Sequence, residues 1–346
     1  MLLAREKISA LGAIERLVAM QAQLARPPYV GLWTRVQGFK RDDLTKLFTS
    51  RKAVRGTHLR GTLHVMSAKD FARLRGAIQP ALTAGMQAIL RDRMKGFDVD
   101  AVMAAARQVF AKGPTGFEPV RQHLIKNFPK GDERAMGYAA RLRVPLLQVP
   151  DESRWGYASA ADFTLAEKWL GGTLSSDESP DELLLRYLAA FGPATVTDAQ
   201  TWSGLARLRD AFERLRPKLV TFRDERGREL FDLPKAPRPD EDVEVPVRFL
   251  PEFDNILLGH DDRTRIVADA HRKLVYLPGL RVAATLLVDG YVSGTWSMET
   301  KKAVTTIVIQ PFTKLAKATW VEAEKEGASL ARFMEPDAKD IAVRLA

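Results

Sequence analysis

Residues 205–233 read LARLRDAFERLRPKLVTFRDERGRELFDL, and this stretch decides the fold. Its first part is a basic amphipathic helix: Leu205, Leu208, Phe212 and Leu215 recur at helical spacing, with Arg207, Arg209 and Arg214 off that stripe. Its second part is a hairpin, two extended runs at 218–223 and 228–233 around the turn residues Asp224-Glu225-Arg226-Gly227. A basic helix running into a hairpin is how a winged helix-turn-helix unit ends, the hairpin being the wing. The helices that such a unit needs upstream are predicted at 180–191 and 197–202.

The same grammar recurs twice earlier in the chain. Residues 11–25, 29–37 and 41–50 read as helices and lead into extended runs at 53–59 and 61–66. Residues 99–111, 117–127 and 132–142 read as helices and lead into runs at 144–149 and 155–158, flanking the turn Pro150-Asp151-Glu152-Ser153. After the tract PKAPRPDED at 234–242, too rich in proline and charge to pack a core, the hydrophobic period changes to two. Alternation at 243–250, 274–277, 282–288, 291–296 and 304–309 predicts a mostly antiparallel sheet, with Asp289-Gly290 as a hairpin turn. Residues 316–333 form an amphipathic helix laid over it. The fold class is therefore α+β: three tandem winged helix-turn-helix units at 1–78, 79–175 and 176–235, then a β-rich C-terminal domain at 236–346 with a closing helix. The alternative is a generic α+β protein whose hairpins merely fall at turn residues.

Composition narrows the function. The 346 residues include no cysteine, which excludes disulfides, thiolate nucleophiles and cysteine-ligated metals. No run approaches the ~18 apolar residues of a membrane span, and charges interrupt the N-terminal segment MLLAREKISALGAIE, so a soluble cytoplasmic, nucleoid-associated protein is expected. Neither GxxxxGK[ST], GxGxxG nor G-x-S-x-G occurs, which disfavours nucleotide-driven, hydride-transfer and serine-hydrolase chemistry. The net charge of +10 comes from short basic clusters, among them Arg51-Lys52-Arg55-Arg60, Arg141-Arg143 and the run from Arg207 to Lys218. Clusters spread over successive units suit a surface that follows a polyanion; solvated helix faces are the plain alternative.

The segment Gln21-Ala22-Gln23 stands at the end of the first predicted helix, ahead of Arg26-Pro27-Pro28. The prolines cannot continue that helix, and Pro27 biases Arg26 toward extended geometry. Residues two apart share a face only when the chain is extended, so the two amides meet only if the helix unwinds near Gln21. Together they offer four N–H donors, two carbonyl acceptors and no charge. Such a pair holds a water molecule or reads a polar edge but supplies no acid or base. Capping of the first helix is the plain alternative.

Several phrases in this order resemble one family: Gln21-Ala22-Gln23, Trp33, Arg60-Gly61-Thr62-Leu63-His64, Phe191-Gly192-Pro193-Ala194, Trp202-Ser203-Gly204-Leu205, Leu250-Pro251-Glu252-Phe253-Asp254, and Asp289-Gly290 with Gly294-Thr295-Trp296. As a set, from about residue 11 to 333, they are similar to the AlkZ-like bacterial winged-helix DNA glycosylases, which excise alkylated purines and unhook interstrand crosslinks. The resemblance implies a C-shaped basic cleft and a catalytic Gln-hydrophobic-Gln motif matched by Gln21 and Gln23. Ala22 departs from it, being smaller than the apolar residue expected there. The implied protein is a monomeric, monofunctional glycosylase acting on double-stranded DNA with alkylated bases. It needs no metal, nucleotide or other cofactor and no membrane.

Neutral glutamines fit that chemistry. A purine alkylated at N7 or N3 is already cationic and leaves as a neutral molecule, so no general acid is required. What remains is to place a water opposite the leaving bond: Gln23 accepts from it while Gln21 orients it or contacts the sugar-phosphate. Expected DNA contacts are Arg55, Arg60, His64, Arg141, Arg143, Arg207, Arg209, Arg214, Arg263 and Arg265. For His64 a structural role in the hairpin is the favoured alternative. Asp254 is a candidate for stabilising oxocarbenium charge, or else the partner of an arginine. The rival reading of the whole chain is a non-catalytic winged-helix regulator or architectural factor.

Overall fold

The computed structural model describes residues 1–301 and 303–346, which form two compact units. One is built from Ile14–Ala25 and Leu44–Ala236, the other from Met1–Ala13, Arg26–Asp43 and Pro237–Ala346.

The main sheet of the first unit has, among the described residues, five strands in the order β1-β3-β2-β4-β5, every neighbouring pair antiparallel. They are β1 (Met20–Gln21), β2 (Ala53–Thr57), β3 (Leu63–Ser67), β4 (Leu146–Gln148) and β5 (Phe163–Leu165). Gly56 lets β2 and β4 meet, since a Cβ there would lie 2.8 Å from both the Leu146 carbonyl and Leu147 Cδ2. One cross-strand row therefore runs Met20, Val65, Arg55, Gln148, Phe163. A separate hairpin pairs β6 (Val220–Arg223) with β7 (Glu229–Asp232).

Three helices precede β4: Val99–Lys112, Phe117–Asn127 and Glu133–Arg143. Asp98 and Asp132 cap the first and third through their side chains, and the three bury Val102, Ala106, Phe110, Val120, Leu124, Met136 and Ala139 between them. Asp181–Phe191, Val196–Ser203 and Arg209–Leu215 precede β6 in the same way. Thr195 and Asp198 form a capping box on the second of these, and Tyr187 packs on Trp202 and Phe212 on Phe231 with ring centroids 4.8 Å apart in each pair. A short extended segment between leading and second helix adds one more rung. Met20–Gln21 pairs with β3, Thr115 bridges Phe163 on β5, and Ala194 bridges Phe231 on β7. Each time the partner is the second strand of the hairpin that follows.

Several expectations need correction. The helix predicted over 11–25 is only Ala10–Leu17; Val18 takes φ 67°, and the chain turns into β1. Pro27 and Pro28 do not end a helix but begin one, Pro27–Trp33, with Arg26 in helical geometry, because a missing N–H costs nothing in the first turn. The run at 155–158 is not a strand; the partner of β4 is Phe163–Leu165, reached through the long connection 149–162. Within 205–215 only Arg209–Leu215 is helical, Arg207 having φ 59°.

In the second unit the sheet order, among the described residues, is β14-β13-β12-β11-β8. Its strands are β8 (Arg248–Leu250), β11 (Thr285–Val288), β12 (Tyr291–Lys301), β13 (Val304–Pro311) and β14 (Asp340–Leu345); β9 (Tyr276–Leu277) and β10 (Arg281–Val282) pair separately. All pairs are antiparallel except β13 with β14, a strand the alternation did not reveal. Of the predicted strand 243–250 only β8 forms. The Asp289-Gly290 turn is present, with φ 50° and 72° as a primed hairpin turn requires. The closing helix, Lys317–Met334, buries Ala323, Gly327, Leu330 and Met334 in one core with Phe249, Ile307 and Ile309. Gly327 permits that approach: a Cβ there would stand 3.2 Å from the Phe249 ring.

A buried ion pair ties Pro27–Trp33 to the end of β8. Arg35 donates from Nη2 to Asp254 Oδ1 at 2.7 Å and from Nη1 to Oδ2 at 2.8 Å, with side chains 3% and 2% exposed. Removing one partner strands a buried charge, whereas replacing both with apolar groups does not. Asp254→Ala is therefore expected to lower unfolding free energy by about 3–5 kcal/mol. Asp254→Leu with Arg35→Met recovers most of it in denaturant titrations; equal losses in the single and double variants would contradict this account.

Candidate active site

The site grows from the corner that ends the first helix. Val18 is fully buried in left-handed backbone, a conformation unfavourable for a β-branched residue, and it turns the chain onto the edge of the sheet. Met20 and Gln21 pair with Val65 and His64. The Ala22 N–H donates to the Leu63 carbonyl at 2.7 Å, while the Leu63 N–H donates to Gln23 Oε1 at 3.0 Å. A side-chain carbonyl thus takes the place of the next rung.

The turn joining β2 to β3 holds the other amide. Arg60 (φ 54°) and Gly61 (φ 72°) bend it, and Arg60 Nη2 donates to Gln21 Oε1 at 2.8 Å while Nη1 donates to the Trp202 carbonyl. Both anchoring groups, a backbone N–H and a guanidinium, only donate, so each carboxamide is fixed with its oxygen toward the turn. Each amide NH₂ is thereby set as a donor, and each oxygen keeps a second lone pair. Gln21 is half-buried and Gln23 exposed. Below them Arg55, 4% exposed, donates to the Ala22 carbonyl from Nε at 2.9 Å and Nη2 at 2.7 Å, and to the Gln23 carbonyl at 3.2 Å. Burial lowers its pKa, with Tyr157 opposing, but leaves it a cation.

Beside Gln23 lies a cavity of about 650 Å³ whose walls include Arg55, Phe117, Arg141, Gln148, Tyr157 and Phe163. Arg141 lies over the Phe117 ring at 4.4 Å and the Phe163 ring at 5.4 Å, and Arg55 lies over Tyr157 at 5.1 Å. Gln148 is 6% exposed, and its Oε1 is sealed from solvent without a hydrogen-bond donor. Sequence reasoning missed Phe117, Gln148, Tyr157 and Phe163, because single aromatic or amide residues carry no local mark of a cavity that distant elements form. Only the pairing of β2 with β4 sets Gln148 beside Arg55.

Other expected contacts divide by exposure. Arg207 and Arg209 are exposed, as is Arg265; Arg214 is exposed but paired with Asp181, and Arg143 lies 3.5 Å from Asp100. Arg263 is half-buried, donating to the Leu257 carbonyl over the Tyr276 ring. Two expected DNA contacts are buried, and Asp254 takes the arginine-partner alternative. Arg55 is buried under the loop that it holds. His64 is 2% exposed and donates from Nδ1 to the Thr62 carbonyl at 3.0 Å. Asp254, with both oxygens on Arg35, is not free to face a sugar, so the oxocarbenium role is withdrawn. Among the described residues no group of three or more His, Asp or Glu side chains is arranged to hold a metal ion, and no helix is long and apolar enough to cross a membrane.

A family model described as "DNA glycosylase AlkZ-like" matches residues 14–333. A curated relative, the "Interstrand DNA cross-link repair glycosylase" of Streptomyces sahachiroi, is 24% identical over 356 aligned positions, covering 95% of this chain and 91% of that protein. The solved structure of Streptomyces sahachiroi DNA glycosylase AlkZ superposes with a TM-score of 0.81 at 20% identity, covering 100% of this chain and 95% of that one, a likeness of fold.

Two buried histidines, His58 and His64, flank the turn that carries the site. His58 is fully buried, and burial, His64 and Arg75 hold its pKa well below 6.5. Burial first, then the charge of Arg60, lowers His64 to about 3 against the Thr62 carbonyl, which raises it. With folded values depressed, the unfolded chain binds more protons, so stability present above pH 6.5 is lost as pH falls toward 3. Each group contributes up to about 1.4 kcal/mol per pH unit in that window. Melting curves between neutral and acid pH are expected to fall steeply, and less steeply in His64→Gln; parallel slopes would contradict the assignment.

Proposed function

The chain belongs to the AlkZ-like DNA glycosylase family, and on that premise we propose that it hydrolyses the N-glycosidic bond of cationic alkylated purines in double-stranded DNA, interstrand-crosslinked purines included. The observation that carries this reading is the fixing of Gln21 and Gln23, at the family's motif positions, by donor-only groups of one turn. In the proposed reaction the C1′–N bond breaks and its electron pair neutralises the departing base. Positive charge builds on the sugar, water adds to C1′, and the proton of that water passes to solvent. The Gln23 oxygen accepts from the water through its remaining lone pair, and Gln21, held by Arg60, orients it or donates to the sugar-phosphate. Water is the only co-reactant the step consumes.

The fold supports a matching mode of binding. Three recurrences of helices, hairpin and short rung are read as three winged-helix units at 1–78, 79–175 and 176–235, ahead of the β-rich part at 236–346, and the C-shaped basic cleft belongs to the same proposal. Arg143, Arg207, Arg209 and Arg265 are proposed phosphate contacts, with Arg60, Arg214 and Arg263 contributing charge from within their pairings and Arg141 from over the Phe117 and Phe163 rings. The enzyme is proposed to act as a monomer.

Duplex DNA carrying N7-methylguanine is expected to release the free base on incubation with the protein. Gln21→Ala and Gln23→Ala are each expected to slow release by about 10²-fold or more, with duplex affinity measured by anisotropy nearly unchanged. Loss of binding without loss of turnover per bound complex would favour a purely DNA-binding role. Uracil and undamaged purines, which leave as anions, are expected to remain in the DNA, and efficient uracil release would overturn the proposed chemistry.

A further inference from the structure

We propose that the cavity beside Gln23 receives the nucleobase, that Gln148 reads an N–H donor on its Watson–Crick edge, and that Arg55 and Arg141 make the cavity favour the neutral leaving base over the cationic one. This rests on the glycosylase reading and adds to it a base site and a residue that determines specificity.

Size and walls suit a base. The volume of about 650 Å³ lies within the usual range of small-molecule sites. Phe117, Tyr157 and Phe163, with the guanidinium planes of Arg141 and Arg55 against them, offer the flat surfaces on which bases stack. Gln148 supplies the polar feature: its carboxamide lines the cavity, and turning it brings the covered Oε1 to the cavity surface. A buried carboxamide oxygen without a donor costs free energy unless a ligand satisfies it, and a purine edge carries N–H groups able to do so. Its place is built in, since Gln148 stands directly across from Arg55 on β2 and Phe163 on β5.

Charge gives the site a direction. Among the described residues the lining includes two guanidinium groups and no carboxylate; the exposed Asp162 flanks it, its Oδ1 3.7 Å from where a Cβ on the lining Gly116 would stand. A cationic alkylpurine entering this cavity is repelled. As the C1′–N bond breaks, the electron pair moves onto the base and the positive charge onto the sugar. The repulsion at the base is then relieved, so the cavity interacts better with the transition state and the product than with the ground state.

Isothermal calorimetry with free 7-methylguanine tests this on the full chain without requiring turnover. The wild type is expected to bind this neutral base more tightly than cationic 7-methylguanosine at mildly acidic pH. Gln148→Leu is expected to weaken base binding roughly tenfold, while Gln148→Glu, which keeps the acceptor, retains it and narrows the preference against the cation. Ala160→Trp, an exposed position on the rim, fills the cavity without touching the core and is expected to abolish binding. Unchanged affinity in both Gln148→Leu and Ala160→Trp overturns the proposal, as does a wild type that releases 7-methylguanine from DNA yet does not bind it. A wild type that binds the base in this pattern but never releases it from DNA upholds the cavity and sinks the glycosylase reading.

Discussion

A single buried guanidinium sets the geometry of the site. Beyond Gln21 the strand ends: the Ala22 N–H still bonds the Leu63 carbonyl, the chain bends at Gln23, and Arg55 reaches from β2 to hold the carbonyls of Ala22 and Gln23. Because it binds main-chain oxygens rather than a carboxylate, its charge is not cancelled where it lies. It thus holds the main chain that carries both carboxamides, whose oxygens Arg60 and the Leu63 N–H fix, and makes their surroundings electropositive. Tyr157 covers its face, which couples the loop to the cavity wall.

The three short rungs each pair with the second strand of the hairpin that follows and differ in what they carry. At the second and third positions the rung is Thr115 or Ala194, bonded to its hairpin through backbone alone. At the first it is longer, ends in two glutamines, and is entered through the left-handed Val18. A buried β-branched residue in that region costs of order 1–3 kcal/mol and persists only where its surroundings fix it. Glycine occupies the corner before the second rung, at Gly113. Among the described residues, the left-handed corner, the two carboxamides and the anchoring arginines coincide at the first rung and at neither of the others.

This distribution explains what the sequence disclosed. Helices with side-chain caps and clean stripes, such as Val99–Lys112 and Glu133–Arg143, were legible to within a residue or two, as was the hairpin around Asp224-Glu225-Arg226-Gly227. Pairings set by distant contacts were not. The connection 149–162 hides the partner of β4, β14 joins its sheet in parallel from the far end of the chain, and the prolines at 27–28 act as helix starters because the chain has already turned. In the site, Gln21 and Gln23 stood out as amides where a helix had to end. Gln148 did not, because its meaning comes from Arg55 across the sheet. Asp254 and His64 attracted notice as polar residues in suggestive phrases, yet burial among partners gives them structural tasks.

The electropositive setting also bears on why amides, rather than acids, occupy the two motif positions. A carboxylate at residue 21 would meet Arg60, and its pKa would fall, leaving it ionised and a poor proton donor. At residue 23 it would offset the field of Arg55 and attract a cationic base in the ground state. Carboxamides do neither: they bind the backbone turn, present donors and leave the positive field intact. On the proposed chemistry that field opposes the substrate's charge while it resides on the base and ceases to do so once it has moved to the sugar. A neutral pair in a cationic setting is thus suited to a bond whose leaving group brings its own activation, and unsuited to one that needs a proton supplied.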